Sequence, residues 1–230
     1  MAKVHPNAAA VAAELGTPTR RAAAGQDQEP EPPTTAVLTV WRKSLLFNCD
    51  GFTVYDADGD LAFRVDCYAR RHAEVVLMDA AGAPLLTVRR KRLSLAERWH
   101  VYHGDAAASS SRPPVLSVRR HVGGGLRGAS GGGKTLAHVV AAASSSADAG
   151  GGEAFVVEGS YGRRACAVRD ARGDVVAEVR RKEAVGDDVF RLVVSPSLGA
   201  PLAMGLVVVL DEMFAGRGSA RSWLRLRGSC

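Results

Sequence analysis

The sequence predicts an all-β domain with one buried helix: a closed or nearly closed antiparallel barrel with an apolar helix through its middle. Three observations lead there. From Phe52 onward short stretches alternate apolar and polar residues with a period of two. Three of the gaps between them hold Asp-Ala-x-Gly, and one apolar segment, about Ala200 to Phe214, has the length of a helix and apolar residues on nearly all sides.

The alternation is the signature of strands with one buried face. In "DLAFRVD" (Asp60 to Asp66), Leu61, Phe63 and Val65 point one way and Ala62, Arg64 and Asp66 the other. The stretches "FTVYDA", "AEVVLMD", "PLLTVRRK", "RWHVYHG" and "PVLSVRRHV" behave alike, and the pattern resumes in "TLAHVVAA", "EAFVVEGSY", "RRACAVRDA", "DVVAEVRRK" and "DVFRLVVSP". Trp41 and Trp99 are placed at the heads of strands and read as core or rim packing.

"DADG" (Asp56 to Gly59), "DAAG" (Asp79 to Gly82) and "DARG" (Asp170 to Gly173) each fall between two such runs. The aspartate accepts a backbone hydrogen bond that starts the turn, and the glycine takes the left-handed conformation that sends the next strand back antiparallel. Each is therefore a hairpin. The terminal helix carries Leu, Met and Val around its circumference and must be surrounded by protein, which a barrel interior provides. The apolar run from Leu198 to Leu210 is about two thirds of the roughly 20 residues that cross a bilayer, and it stops at Asp211 and Glu212, so it is not read as a membrane span.

Residues 1–35, ending in "QDQEPEPPTT", are expected to be a disordered tail, since they lack apolar periodicity. The barrel domain is expected over residues 36–215, with low-complexity loop insertions near 123–134 and 143–152, and residues 216–230 as a flexible tail. With 230 residues and 47% hydrophobic content the chain can bury a substantial core.

The net charge of +6 and a pI near 9.5 favour anionic partners. Aromatic residues are only 6% and do not interleave with cations, which argues against a nucleic-acid platform. Four cysteines lie far apart with no C-x-x-C, and the alanine-rich start is interrupted by Glu14 before it can form a secretory core. An intracellular location follows as the expectation: cytoplasmic, peripheral at the plasma membrane, or nuclear.

Three stretches resemble plant LURP-one-related proteins: "LTVWRKSLLFNCDGFTVYDADGDLAFRVDCY" (Leu38 to Tyr68), "AEVVLMDAAGAPLLTVRRKRLSL" (Ala73 to Leu95) and "LVVVLDEM" (Leu206 to Met213). The resemblance implies a tubby-like barrel of about twelve strands around a hydrophobic carboxy-terminal helix, a fold shared with tubby proteins and phospholipid scramblases. It implies no catalytic motif, no cofactor and no enzyme activity. Some members are linked to plant defence. Tubby proteins bind phosphatidylinositol bisphosphate through basic residues, so an anionic phospholipid or a protein partner is the implied ligand. That step is analogy at the level of the fold.

The candidate site comes from the residues. Basic clusters "RRKR", "RR" and "RRK" each end a strand after a valine, and Arg89, Arg90, Arg119, Arg180 and Lys182 are the candidate lipid-binding residues. If those strand ends gather at one rim, their cations form an anion-binding surface. The plainer account is that consecutive cations face alternate sides and serve as solvated strand-end residues.

Two other motifs compete. "GASGGGKT" (Gly128 to Thr135) satisfies the P-loop pattern, whose glycine amides, lysine and threonine would hold nucleotide phosphates and magnesium, making a nucleotide-binding enzyme the alternative function. A match inside a glycine tract carries little information, and a P-loop needs a following helix where "TLAHVVAA" reads as a strand. His100 and His103 form H-V-Y-H, but on a strand they face opposite sides, so no metal site is expected. Cys166 is expected to be a half-buried strand thiol.

Overall fold

The computed structural model describes residues 34–46, 49–67, 74–91, 97–105, 112–122, 134–141, 154–182, 186 and 188–218. Nearly all of the expected amino-terminal tail, the two loop insertions and most of the carboxy-terminal tail lie outside these residues.

Twelve strands form the barrel wall: β1 (Ala36–Trp41), β2 (Asp50–Tyr55), β3 (Leu61–Cys67), β4 (Glu74–Asp79), β5 (Pro84–Arg90), β6 (Arg98–His103), β7 (Leu116–Arg120), β8 (Thr135–Ala141), β9 (Phe155–Ser160), β10 (Ala165–Asp170), β11 (Val175–Arg181) and β12 (Val189–Val194). Each pairs antiparallel with its sequence neighbours, and β1 closes the circle by pairing with β12, Leu38 opposite Leu192 and Val40 opposite Phe190. Closure removes both sheet edges.

Strand β1 was not among the period-two stretches. In "AVLTVW" Leu38 and Val40 point inward, yet Val37 and Trp41 on the outer side are also large and apolar, which erases the polar half of the alternation. Trp41 accordingly closes β1 instead of heading a strand, and stands 37% exposed, whereas Trp99 lies in the core.

The three predicted hairpins form as the residues demand. Asp56 Oδ1 accepts from the amides of Asp58 and Asp60, Asp79 Oδ1 from Ala83, and Asp170 Oδ1 from Arg172 and Asp174. Gly59, Gly82 and Gly173 take φ of 92°, 89° and 90°. These are three-residue turns with a left-handed glycine, the geometry that suits the twist of an antiparallel pair.

Helix α1 (Ala200–Gly218) follows β12 through a turn at Ser195–Gly199. It extends four residues past the expected Phe214, to Gly218. Ala203 to Leu210 are buried without a break. A Cβ added at Gly205 would sit 3.1 Å from Leu86 Cδ1 on β5 and 3.7 Å from Val101 Cγ1 on β6, so the helix lies against the inner wall there.

Antiparallel order fixes two distinct ends. The odd-numbered strands finish at one end and the even-numbered strands at the other. Helix α1 starts where β12 finishes and runs to the opposite end, where Asp211 meets Arg42 just past β1 and the Met213 carbonyl meets Arg120 at the end of β7. The end where α1 finishes is here termed the rim.

Candidate functional site: the basic rim

The three clusters share one construction. Val88, Val118 and Val179 are buried in the inward phase of β5, β7 and β11. The next residue, Arg89, Arg119 or Arg180, therefore faces the outer wall, and the one after, Arg90, Arg120 or Arg181, returns to the inward phase just above the last core layer. All three strands finish at the rim, and so does β1, followed by Arg42 and Lys43. Lys182 follows β11 at the same end and is half-buried.

The five candidate residues thus share an end of the barrel but not a face. β5 and β11 are six strands apart in the ring of twelve, so Arg89 and Arg180 stand on opposite walls. Arg89 Nε donates to Glu74 Oε2 at 2.7 Å and its guanidinium lies 5.7 Å from the Tyr102 ring centre; Arg180 Nη2 donates to Glu178 at 2.6 Å. Arg119 is exposed, with Arg98 and His138 as its cross-strand neighbours. Arg90 and Arg120 converge on one carboxylate, Glu97, at 3.4 and 3.0 Å.

Charge is polarised along the barrel axis. The turns at the far end carry Asp56, Asp58, Asp79, Asp105 and Asp170, while the rim carries the arginine pairs. Of the acidic groups at the rim, Glu74, Glu97 and Asp211 are paired with its own cations, while Asp50 and Asp188 stand exposed beside them.

Two arginines outside the candidate set tie the second half of α1 to the rim, and a third, Arg164, packs beside them. Arg120 Nη1 donates to the Met213 carbonyl at 3.3 Å and its guanidinium lies 4.7 Å from the Phe214 ring centre, so one cation grips both backbone and ring in the second half of α1. Arg42 Nε lies 3.0 Å from Asp211 Oδ1. Burial works to lower the Arg42 pKa, but the Asp211 charge and hydrogen bond outweigh it and hold the group above its ordinary value. The Tyr161 hydroxyl donates to Asp211 at 3.2 Å; burial first, and Asp211 next, push it well above its usual range, against an opposing pull from Arg164.

Arg164 is buried between two aromatic rings, its guanidinium 4.5 Å from the Tyr161 centre and 4.4 Å from that of Phe190. It is the one residue other than glycine with positive φ among those described, at 52°. Beside it β9 and β10 approach so closely at Gly159 that a Cβ would lie 2.3 Å from the Ala165 carbonyl oxygen. "RRAC" gives no hint that its second arginine is a core residue. The signal depends on the turn at Tyr161–Arg164, which only the folded backbone reveals.

Cys166 is buried instead of half-buried, because it falls in the inward phase of β10 with Val168. Burial pushes its thiol up to about 12, helped by Glu178 and opposed by Arg164, which favours the protonated form at neutral pH. His100 and His103 occupy opposite phases of β6, and His100 Nδ1 lies 2.9 Å from Ser117 Oγ on the outer wall. His121 Nδ1 and His138 Nε2 are 2.9 Å apart, but among the described residues no group of three or more potential metal ligands occurs.

Lys134 and Thr135 of the P-loop match fall at the start of β8, which is antiparallel to both β7 and β9; Gly128 to Gly133 lie outside the described residues. The strand stands where a nucleotide-binding helix is required. Lys134→Ala is expected to leave stability unchanged, and so is deletion of Gly123 to Gly133, in calorimetric melting. Micromolar ATP binding by the wild type, lost in Lys134→Ala, would overturn this assignment.

The LURP-one-related family model matches residues 36–211, the whole barrel and most of its central helix. The chain belongs to the LURP-one-related family. It is 40% identical over 187 residues to LURP-one-related 8 of Arabidopsis thaliana, covering 77% of this chain and 87% of that one. LURP-one-related 5 of the same plant is 41% identical over 188 residues, covering 77% and 82%. A crystal structure of an Arabidopsis thaliana protein shares the fold, with a TM-score of 0.56 at 24% identity, over 79% of this chain and 92% of that one. Among the described residues no helix is long and apolar enough to cross a membrane.

Proposed function

We propose that this LURP-one-related chain is a non-catalytic binding module whose basic rim engages the phosphate groups of anionic phospholipids. The observation that carries the reading is the gathering of the cation-tipped ends of β1, β5, β7 and β11 at one end of the barrel, with the aspartate turns at the other. A charge distribution of this kind presents one end to an anionic surface and holds the other away from it. Arginine suits the task because its planar fork matches two phosphate oxygens at once. Arg90 and Arg180 keep 54% and 60% of their side-chain surface exposed, so their solvated ion pairs yield readily to a phosphate. The tubby-like resemblance supports the same ligand class, and a setting in plant defence signalling rests on that resemblance alone.

Each cation near an anionic membrane contributes about 1 kcal/mol, and about 1.4 kcal/mol is a tenfold change in affinity. Changing Arg89, Arg90, Arg119, Arg180 and Lys182 together to glutamine is therefore expected to weaken binding to vesicles containing phosphatidylinositol bisphosphate by roughly a thousandfold or more. Stability should fall only modestly: Arg90, Arg119 and Arg180 are exposed and add little to folding, and the part-buried Arg89 gives up one ion pair with Glu74. Cosedimentation at increasing salt measures this, and binding should fall as salt rises. Equal retention on neutral vesicles, or an unaffected quintuple variant, would remove the lipid reading.

A further inference from the structure

Three large apolar side chains that stay in solvent stand at the basic end. Trp41 is 37% exposed, Leu45 in the segment after β1 is 49% exposed, and Val122, two residues past β7, is 82% exposed. Each tops a strand that ends in cations: Arg42 and Lys43 follow Trp41, with Lys43 Nζ 5.1 Å from the centre of its ring, and Arg119 and Arg120 precede Val122. β1 and β7 are six strands apart in the ring, so these apolar tips occupy opposite sides of the barrel mouth.

Single exposed apolar residues are ordinary on a protein surface. The placement is what matters here. A tryptophan beside lysine, and an aliphatic tip beside arginine, are the pairings that settle at a membrane interface, with the ring or aliphatic group at the boundary of headgroups and acyl chains and the cation among the phosphates. Tips on opposite sides of a twelve-stranded barrel cannot both enclose one soluble headgroup, but a plane touches both.

We propose that the barrel docks end-on to an anionic phospholipid bilayer, with Trp41 and Leu45 on one side of the mouth and Val122 on the other entering the interface. This rests on the anionic-lipid reading above and adds to it an orientation and a component of binding that salt does not screen. The barrel axis then stands along the membrane normal. Val37 and Val175, the other large apolar residues in solvent, lie at the aspartate end and point away from the lipid.

The test is partitioning onto phosphatidylcholine vesicles, with and without phosphatidylserine and phosphatidylinositol bisphosphate, at low and high salt. Trp41→Ser is expected to weaken binding to the anionic vesicles by about tenfold, and the triple change Trp41→Ser, Leu45→Ser and Val122→Ser by about a hundredfold, with loss of whatever binding survives high salt. The salt dependence at low salt should be unchanged, and Val37→Ser with Val175→Ser should bind like the wild type. A second measurement needs no change at the tips: in a Trp223→Phe background, lipids brominated near the headgroup should quench Trp41 on binding, while buried Trp99 stays unquenched. Salt-sensitive binding that the triple variant retains in full, or an absence of quenching, would overturn end-on insertion and leave the electrostatic reading standing. No binding to anionic vesicles at any salt would overturn both.

Discussion

Replacing Val208 with aspartate is expected to abolish soluble, folded protein. Val208 is 1% exposed, in the middle of α1, and its neighbours Val207, Val209 and Leu210 are as deeply buried, so no side of the helix offers water. A carboxylate there has no partner; whether it stays charged or takes up a proton, desolvation costs several kcal/mol beyond the lost valine packing. A domain whose whole stability is about 5–15 kcal/mol does not absorb that readily, because α1 is the core of the barrel. The contrast lies three residues on, where Asp211 is accepted because Arg42 and Tyr161 reach it. Soluble yield and far-ultraviolet circular dichroism measure the effect. A Val208→Asp protein that melts like the parent would place α1 outside the barrel.

The sequence reveals what is local and hides what depends on distant strands meeting. The aspartate turns are legible because donor, acceptor and left-handed glycine all lie within five residues. The buried helix is legible because a segment apolar on nearly all sides leaves it no surface. β1 is obscured by Val37 and Trp41 on its outer face. The basic clusters are legible as strand ends, and antiparallel order alone then places them at one end of the barrel. What the sequence does not separate is the role of each cation: Arg119 and Arg120 are adjacent, yet one faces the outer wall and the other reaches the Met213 carbonyl of α1. Arg42 and Asp211, 169 residues apart, pair only because the helix returns through the barrel to the strand that opened it.

Substitutions at Arg164 are expected to give the second largest loss of stability and an unusual order. Arg164→Ala removes a planar cation from between Tyr161 and Phe190, forfeiting two desolvated cation–π contacts and leaving a gap between the rings, for a loss of about 3 kcal/mol in urea unfolding. Arg164→Lys should recover little of it, because an ammonium has no flat face to stack on two rings at once. The backbone supplies the control. At φ 52° an alanine keeps the left-handed strain that a glycine does not have, so Arg164→Gly should be about 1 kcal/mol more stable than Arg164→Ala, the reverse of the usual order in regular structure. If alanine matched the wild type, the stacked guanidinium would contribute nothing to the rim; if it exceeded glycine, the turn at Tyr161–Arg164 would not be held in the left-handed conformation. The expected order, arginine above glycine above alanine, assigns the loss to the side chain and the remaining difference to the backbone. It would make Arg164 the residue that trades local strain for a fixed closure between β9, β10 and the end of the central helix.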